Sequence, residues 1–88
     1  MREDIFRRAL AGVHRLMKRY PTSEALLSLV EQLEYLIEHE LSGSWSRPEL
    51  DSLTIGVLTA KNVEDMDPAV ASDLYGVKVE VDKLRSQL

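Results

Sequence analysis

The sequence predicts an all-α fold, a small bundle of four main helices, on three observations. Four separate stretches carry apolar residues every three or four positions, the spacing that lines one side of an α-helix. Proline, glycine and capping residues punctuate the chain between them. The one run that alternates like a strand, Val77, Val79 and Val81, lies inside a longer helical pattern and has no second strand to pair with.

The first helix is expected over Glu3 to Arg19, with Phe6, Ala9, Leu10, Val13, Leu16, Met17 and Tyr20 as its stripe. Glu3 and Asp4 stand in its first turn and Lys18 and Arg19 in its last, which suits the helix dipole. Gly12, at the edge of the stripe, permits a close approach by another helix. Pro21 disfavours helical geometry at Tyr20 and ends the element. The short turn that follows makes helices one and two antiparallel neighbours.

The second helix, within Pro21–Leu41, has the strongest pattern. Leu26, Val30, Leu33, Ile37 and Leu41 form its apolar stripe, widened by Leu27, Leu29 and Leu36. The other side carries Glu24, Ser28, Glu31, Tyr35, Glu38 and His39. Tyr35 falls about 180° from Leu26, among carboxylates rather than in the core stripe. Thr22 is the expected N-cap, and Gly43 the left-handed residue that closes the C-terminus.

Trp45, the single tryptophan, follows in the loop as a lid on the end of the core or as a partner contact. Ser46-Arg47-Pro48-Glu49 reads as a capping box with proline tolerated in the first turn, so a third helix should start there. Its stripe is Leu50, Leu53, Val57 and Ala60, with Ile55 and Leu58 outside it and available to an oligomer or partner surface. Gly56 in its interior implies a close helix crossing. Asp67-Pro68 starts the fourth helix, which runs to about Arg85 on Val70, Leu74, Val77, Val81, Leu84 and Leu88.

Eighty-eight residues are expected to form one domain over 1–88, at a size where only about 60–70% of the unfolded chain's surface is buried on folding. No cysteine is present, so stability rests on apolar burial and well-formed helix ends. Nothing resembles a secretory signal, and no run approaches the roughly 18 apolar residues of a membrane span, so a cytoplasmic location is expected. A net charge of −4 and a pI near 5.1 argue against nucleic acid as partner. No helix combines exposed Arg or Lys with base-reading Asn or Gln, as a helix-turn-helix regulator would require.

The charge is segregated. Residues 1–20 hold six Lys/Arg against two Asp/Glu, whereas residues 21–41 hold five Glu and no Lys or Arg. Neighbouring helices of opposite charge can pair across their edges, at ~0–1 kcal/mol for each exposed pair. Alternatively, the acidic face is presented outward to a basic partner, and the two uses are compatible for different glutamates.

Groups that would support catalysis, a metal or a cofactor are missing. His14 and His39 are the only histidines, neither lies in H-E-x-x-H, and no cysteine completes a zinc site. There is no phosphate loop, dinucleotide fingerprint or nucleophile elbow. The paired carboxylates of helix two, such as Glu31 with Glu34 or Glu38, lack the apolar pocket that would tune them. A non-catalytic binding module without metal or cofactor is expected.

Leu26-Leu27-Ser28 followed by Gln32-Leu33-Glu34-Tyr35-Leu36, and Leu53-Thr54-Ile55-Gly56 followed by Ala60-Lys61 and Asp67-Pro68, resemble the small immunity proteins of bacterial type VI secretion. The resemblance runs from about Tyr20 to Pro68. It implies an all-helical protein that binds a cognate toxin, of the kind that degrades NAD(P), and occludes its active site. Glu31, Tyr35 and Glu38, with Ser28, His39 and Trp45, are the expected toxin-binding residues, because aromatic anchors among charges suit an interface facing a cationic nucleotide cleft. The competing expectation is a helical docking module or homodimer built through Ile55 and Leu58.

Overall fold

Pro21 and Thr22 form the middle of a tight turn closed by the Ser23 N–H donating to the Tyr20 carbonyl at 3.2 Å. This turn reverses the chain between α1 (Arg2–Arg19) and α2 (Glu24–Ser42) in the computed structural model, which describes residues 1–88. It also moves the cap. Ser23, not Thr22, has the extended backbone an N-cap needs, and its hydroxyl accepts from the Leu26 N–H at 3.2 Å. At the other end Gly43 takes the left-handed conformation, φ 70°, as expected.

Beyond the loop come α3 (Arg47–Asp51), α4 (Ile55–Leu58), a π-helical turn at Thr59–Val63, α5 (Glu64–Met66) and the long α6 (Pro68–Gln87). The all-α bundle with four helical segments is therefore observed, the third being interrupted. Arg2, at the start of α1, pairs with Glu40 at the end of α2 (3.5 Å) and with Glu80 in the second half of α6 (3.3 Å). Hence α1 runs antiparallel to both. A single cluster of 19 buried apolar residues joins the elements, with Phe6, Val13, Leu26, Leu33, Leu36, Leu74 and Val77 among its most buried members.

Two glycines act through close approach. A Cβ at Gly12 would lie 3.1 and 3.2 Å from the two methyl groups of Val70, so the missing side chain lets α1 close onto the start of α6. At Gly56 the space is filled by the aliphatic stem of Lys78 rather than by a helix backbone. Asp67 caps α6 as expected, accepting from the Ala69 and Val70 N–H groups at 2.9 and 3.2 Å.

The third segment departs from expectation for a geometric reason. Leu50 and Ile55 are both buried, at 1% and 3% exposure. Five residues apart on one continuous helix they would point about 140° away from each other. The chain breaks at Ser52–Thr54, turning both inward, and Val57 rotates out to 55% exposure with Ala60 also exposed. The Ser46 hydroxyl makes no cap bond, so the capping box is not formed although Pro48 does sit in the first turn. Ile55, Thr59 and Val63 are all buried at intervals of four, and the wider π turn keeps that spacing on one face. The Thr59 hydroxyl is satisfied by the Ile55 carbonyl at 2.7 Å.

This packing removes the surface on which a docking or dimer role through Ile55 and Leu58 was expected, since Ile55 is in the core and Leu58 is half-buried against it. Three leucines assigned to apolar stripes lie outside the core: Leu27 at 51% exposure, Leu41 at 64% and the terminal Leu88 at 57%. Leu27 is rotated about 100° from Leu26, and Leu41 is in the last turn of α2.

Candidate functional site

The side of α2 away from the core divides into two strips. One carries Glu31, Glu34 and Glu38, all exposed, flanked by the exposed Leu27 and Leu41. None of these carboxylates, nor Glu24, has a cation within ion-pairing distance, whereas Glu40 on the opposite edge is engaged by Arg2. Edge pairing between α1 and α2 thus accounts for Glu40 alone.

The second strip is covered by the chain that follows. Ser28 accepts a 3.1 Å hydrogen bond from the Gln32 amide. The same amide donates to the Thr54 hydroxyl at 2.9 Å while its oxygen accepts from the Thr54 N–H at 2.9 Å. This two-point clamp satisfies the backbone group freed by the break before α4. Gln32 and Thr54 both stand in the runs that carry the family resemblance, but their pairing was not read from the sequence because it spans 22 residues and leaves no periodic signal.

One turn further along α2, Tyr35, His39 and Trp45 form an aromatic cluster. The Tyr35 and His39 ring centroids lie 4.2 Å apart, and the Tyr35 and Trp45 rings meet edge to face at 6.4 Å between centroids. His39 Nδ1 lies 2.6 Å from the Ser44 carbonyl oxygen, tying the loop to the helix. The expectation of an outward-pointing Tyr35 ringed by carboxylates is corrected accordingly. Its side chain is half-buried, packed against the periphery of the core, and its hydroxyl is wholly shielded from solvent with no hydrogen-bond partner. Burial of the phenol, followed by the nearby charge of Glu49, pushes its pKa above the usual tyrosine value. Helical periodicity gave the correct direction of the side chain from the axis; it carried no information about the loop that folds over it.

Of the six residues expected to bind a toxin, the structure brings Tyr35, His39 and Trp45 into contact, turns Ser28 toward Gln32, and leaves Glu31 and Glu38 exposed. No three His, Cys, Asp or Glu side chains converge as a metal cage. No helix is long and apolar enough to cross a membrane.

The acidic row and the aromatic cluster lie side by side on the outer side of α2 in an all-helical bundle. The sequence profile of the Tsi6 family matches residues 2–83. The immune protein Tsi6 of Pseudomonas aeruginosa is 39% identical over 67 residues, covering 76% of this chain and 71% of that protein. The solved structure of Tsi6 from Pseudomonas aeruginosa superimposes with a TM-score of 0.79 at 34% identity, over 88% of this chain and 90% of the other. The chain belongs to the Tsi6 family, and the resemblance to type VI immunity proteins drawn from its two motif runs holds at the level of the family.

Proposed function

We propose that this protein is a cytoplasmic type VI secretion immunity protein, with no catalytic activity of its own, that binds a cognate toxin and occludes its active site. The observation that carries the reading is the row Glu31, Glu34 and Glu38, exposed and unpaired, beside the Tyr35–His39–Trp45 cluster. An aromatic patch bordered by uncompensated charge of one sign has the composition of an interface with a partner of the opposite sign. The resemblance carried by the two motif runs implies a cognate toxin of the kind that degrades NAD(P). A cleft that holds an anionic dinucleotide often presents cations, and these carboxylates complement such a field without chemistry of their own.

The test is Glu31→Lys combined with Glu38→Lys, measured by calorimetry against the effector protein encoded by the adjoining gene, beside a thermal melt of the free protein. Both positions are exposed and unpaired, and the change relieves repulsion among the glutamates, so the melt should not fall while affinity falls about tenfold or more. Affinity within threefold of the parent, with a melt that has not fallen, places docking elsewhere.

A further inference from the structure

Within the whole protein one buried side-chain polar atom lacks a hydrogen-bond partner, and it is the Tyr35 hydroxyl. Folding supplies no reason for it. A phenylalanine would fill the same space, keep the ring contact with His39 and avoid stripping water from an oxygen that receives nothing in return. Buried polar groups are ordinarily paired, so an orphan asks for an explanation in function.

The rings beside Tyr35 are those of His39 and Trp45, and Trp45, part-buried at the edge of the core, sits on a connection with few polar ties. Trp45 belongs to the connection between Gly43 and Ser46. At one end Gly43 turns with φ 70° in open space, and at the other the Ser46 hydroxyl makes no cap bond to the five-residue α3. The polar tie from α2 to this loop is the His39–Ser44 contact, beside the ring contacts of Trp45 with Tyr35 and His39; the Ser44 N–H otherwise donates to Ser42 at 3.3 Å. The chain is clamped to α2 again only at Thr54, through Gln32. Displacing Trp45 would therefore break ring contacts with Tyr35 and His39 and its packing at the edge of the core, but not the Gln32–Thr54 clamp.

We propose that the Tyr35 hydroxyl is a reserved hydrogen-bond donor for the toxin, covered by Trp45 in the free protein and delivered to a neutral acceptor of the partner, a main-chain carbonyl, when the Gly43–Ser46 loop swings aside. A neutral acceptor is specified by charge, because Glu49 lies close enough to act on the phenol and Glu31 and Glu38 are on the same helix side, so an incoming carboxylate is repelled. The inference rests on the toxin-binding reading of this face and adds to it the group that forms the central bond and the motion that exposes it.

The test uses Tyr35→Phe in the full-length protein, the effector protein encoded by the adjoining gene, and fluorine-labelled tryptophan at Trp45, which gives one resonance because the chain has one tryptophan. Tyr35→Phe should melt at or above the parent temperature yet bind about three- to tenfold more weakly, the range for one lost hydrogen bond to a neutral group. The Trp45 resonance should shift on complex formation. A variant that melts several degrees lower overturns the proposal, since the hydroxyl then has a partner in the free protein. Unchanged affinity or an unmoved resonance overturns it as well. If Tyr35→Phe binds normally while the Glu31→Lys, Glu38→Lys protein does not, the donor is refuted and the acidic face stands; if both bind normally, the face is refuted too.

Discussion

Replacing Gly12 by alanine sets two effects of known sign against each other. In a helix interior the change is favourable by about 0.5–1 kcal/mol through backbone entropy. At Gly12 the new methyl would meet both Cγ atoms of Val70, at 3.1 and 3.2 Å. Val70 is 2% exposed and β-branched, and in a helix such a side chain holds essentially one rotamer, so it cannot turn away. The helices must part by a few tenths of an ångström, and overpacking of this kind costs about 1–3 kcal/mol. The net expectation is a loss near ~1 kcal/mol, or a fall in melting temperature of about 4–8 °C for a domain of this size. Gly76 in α6 is the control, since a Cβ there finds only the Ile5 Cγ2 at 3.9 Å, an ordinary contact, and Gly76→Ala should gain about 0.5–1 kcal/mol. Denaturant melts of Gly12→Ala, Val70→Ala and the double variant complete the test. In the Val70→Ala background Gly12→Ala should become stabilising. If Gly12→Ala stabilises the parent as much as Gly76→Ala does, the α1–α6 contact is not tight and the reasoning fails.

Leu33 is fully buried at the centre of α2, and Leu33→Ala should cost about 2–5 kcal/mol in a denaturant melt, a loss below 1 kcal/mol showing that the core face is misassigned. Asp67→Ala removes the acceptor for two N–H groups at the start of α6 and should cost about 0.5–2 kcal/mol, with a smaller loss for Asp67→Asn, which can still cap. Stability should fall in acid. For Asp51, desolvation acts upward but the hydrogen bonds and charges of Arg47 and Arg85 outweigh it, and the Glu80 carboxyl is lowered by its bond from Lys83 and, against some desolvation, by Arg2. Both groups are depressed in the folded state, so their stabilisation is present above the unfolded carboxylate range near ~4 and is lost as pH falls through the lower folded values. Melts from neutral pH into acid check this, and a melting temperature that rises through that window contradicts it.

Legibility from the sequence followed the range of the interaction that decides each feature. Elements fixed by residues a few positions apart were readable. Gly43 and Asp67 are at the ends expected of them, and the valines of α6 follow helical rather than strand spacing, with Val77 and Val81 inward and Val79 out. Thr22 was displaced by a single residue because the turn between Tyr20 and Ser23 competes for the same positions. The third segment was misread because two long-range demands override its local pattern. Leu50 and Ile55 must both reach the core, and Gln32 of α2 compensates the break by binding the Thr54 backbone. The site shows the same division. Periodicity places Glu31, Tyr35 and Glu38 on the side of α2 away from the core, while the loop that brings Trp45 over Tyr35 depends on where the third segment is anchored.

That anchoring bears on why the face takes its present form. Glu31, Glu34 and Glu38 stand three and four residues apart, where like charges repel by a few tenths of a kcal/mol for each neighbouring pair, and Glu38 lies toward the negative end of the helix dipole. No cation of α1 is directed at them, although Arg15, Lys18 and Arg19 make no ion pair elsewhere. The buried Tyr35 hydroxyl is a further local loss on the same side of the same helix. Elsewhere the local features agree with the fold: buried Thr59 is bonded, the long helices α2 and α6 are capped, and Arg2 bridges Glu40 and Glu80. The toxin-binding role proposed for this face would account for local losses of stability concentrated there, because a surface that satisfied its own charges and hydrogen bonds would have fewer to offer a partner.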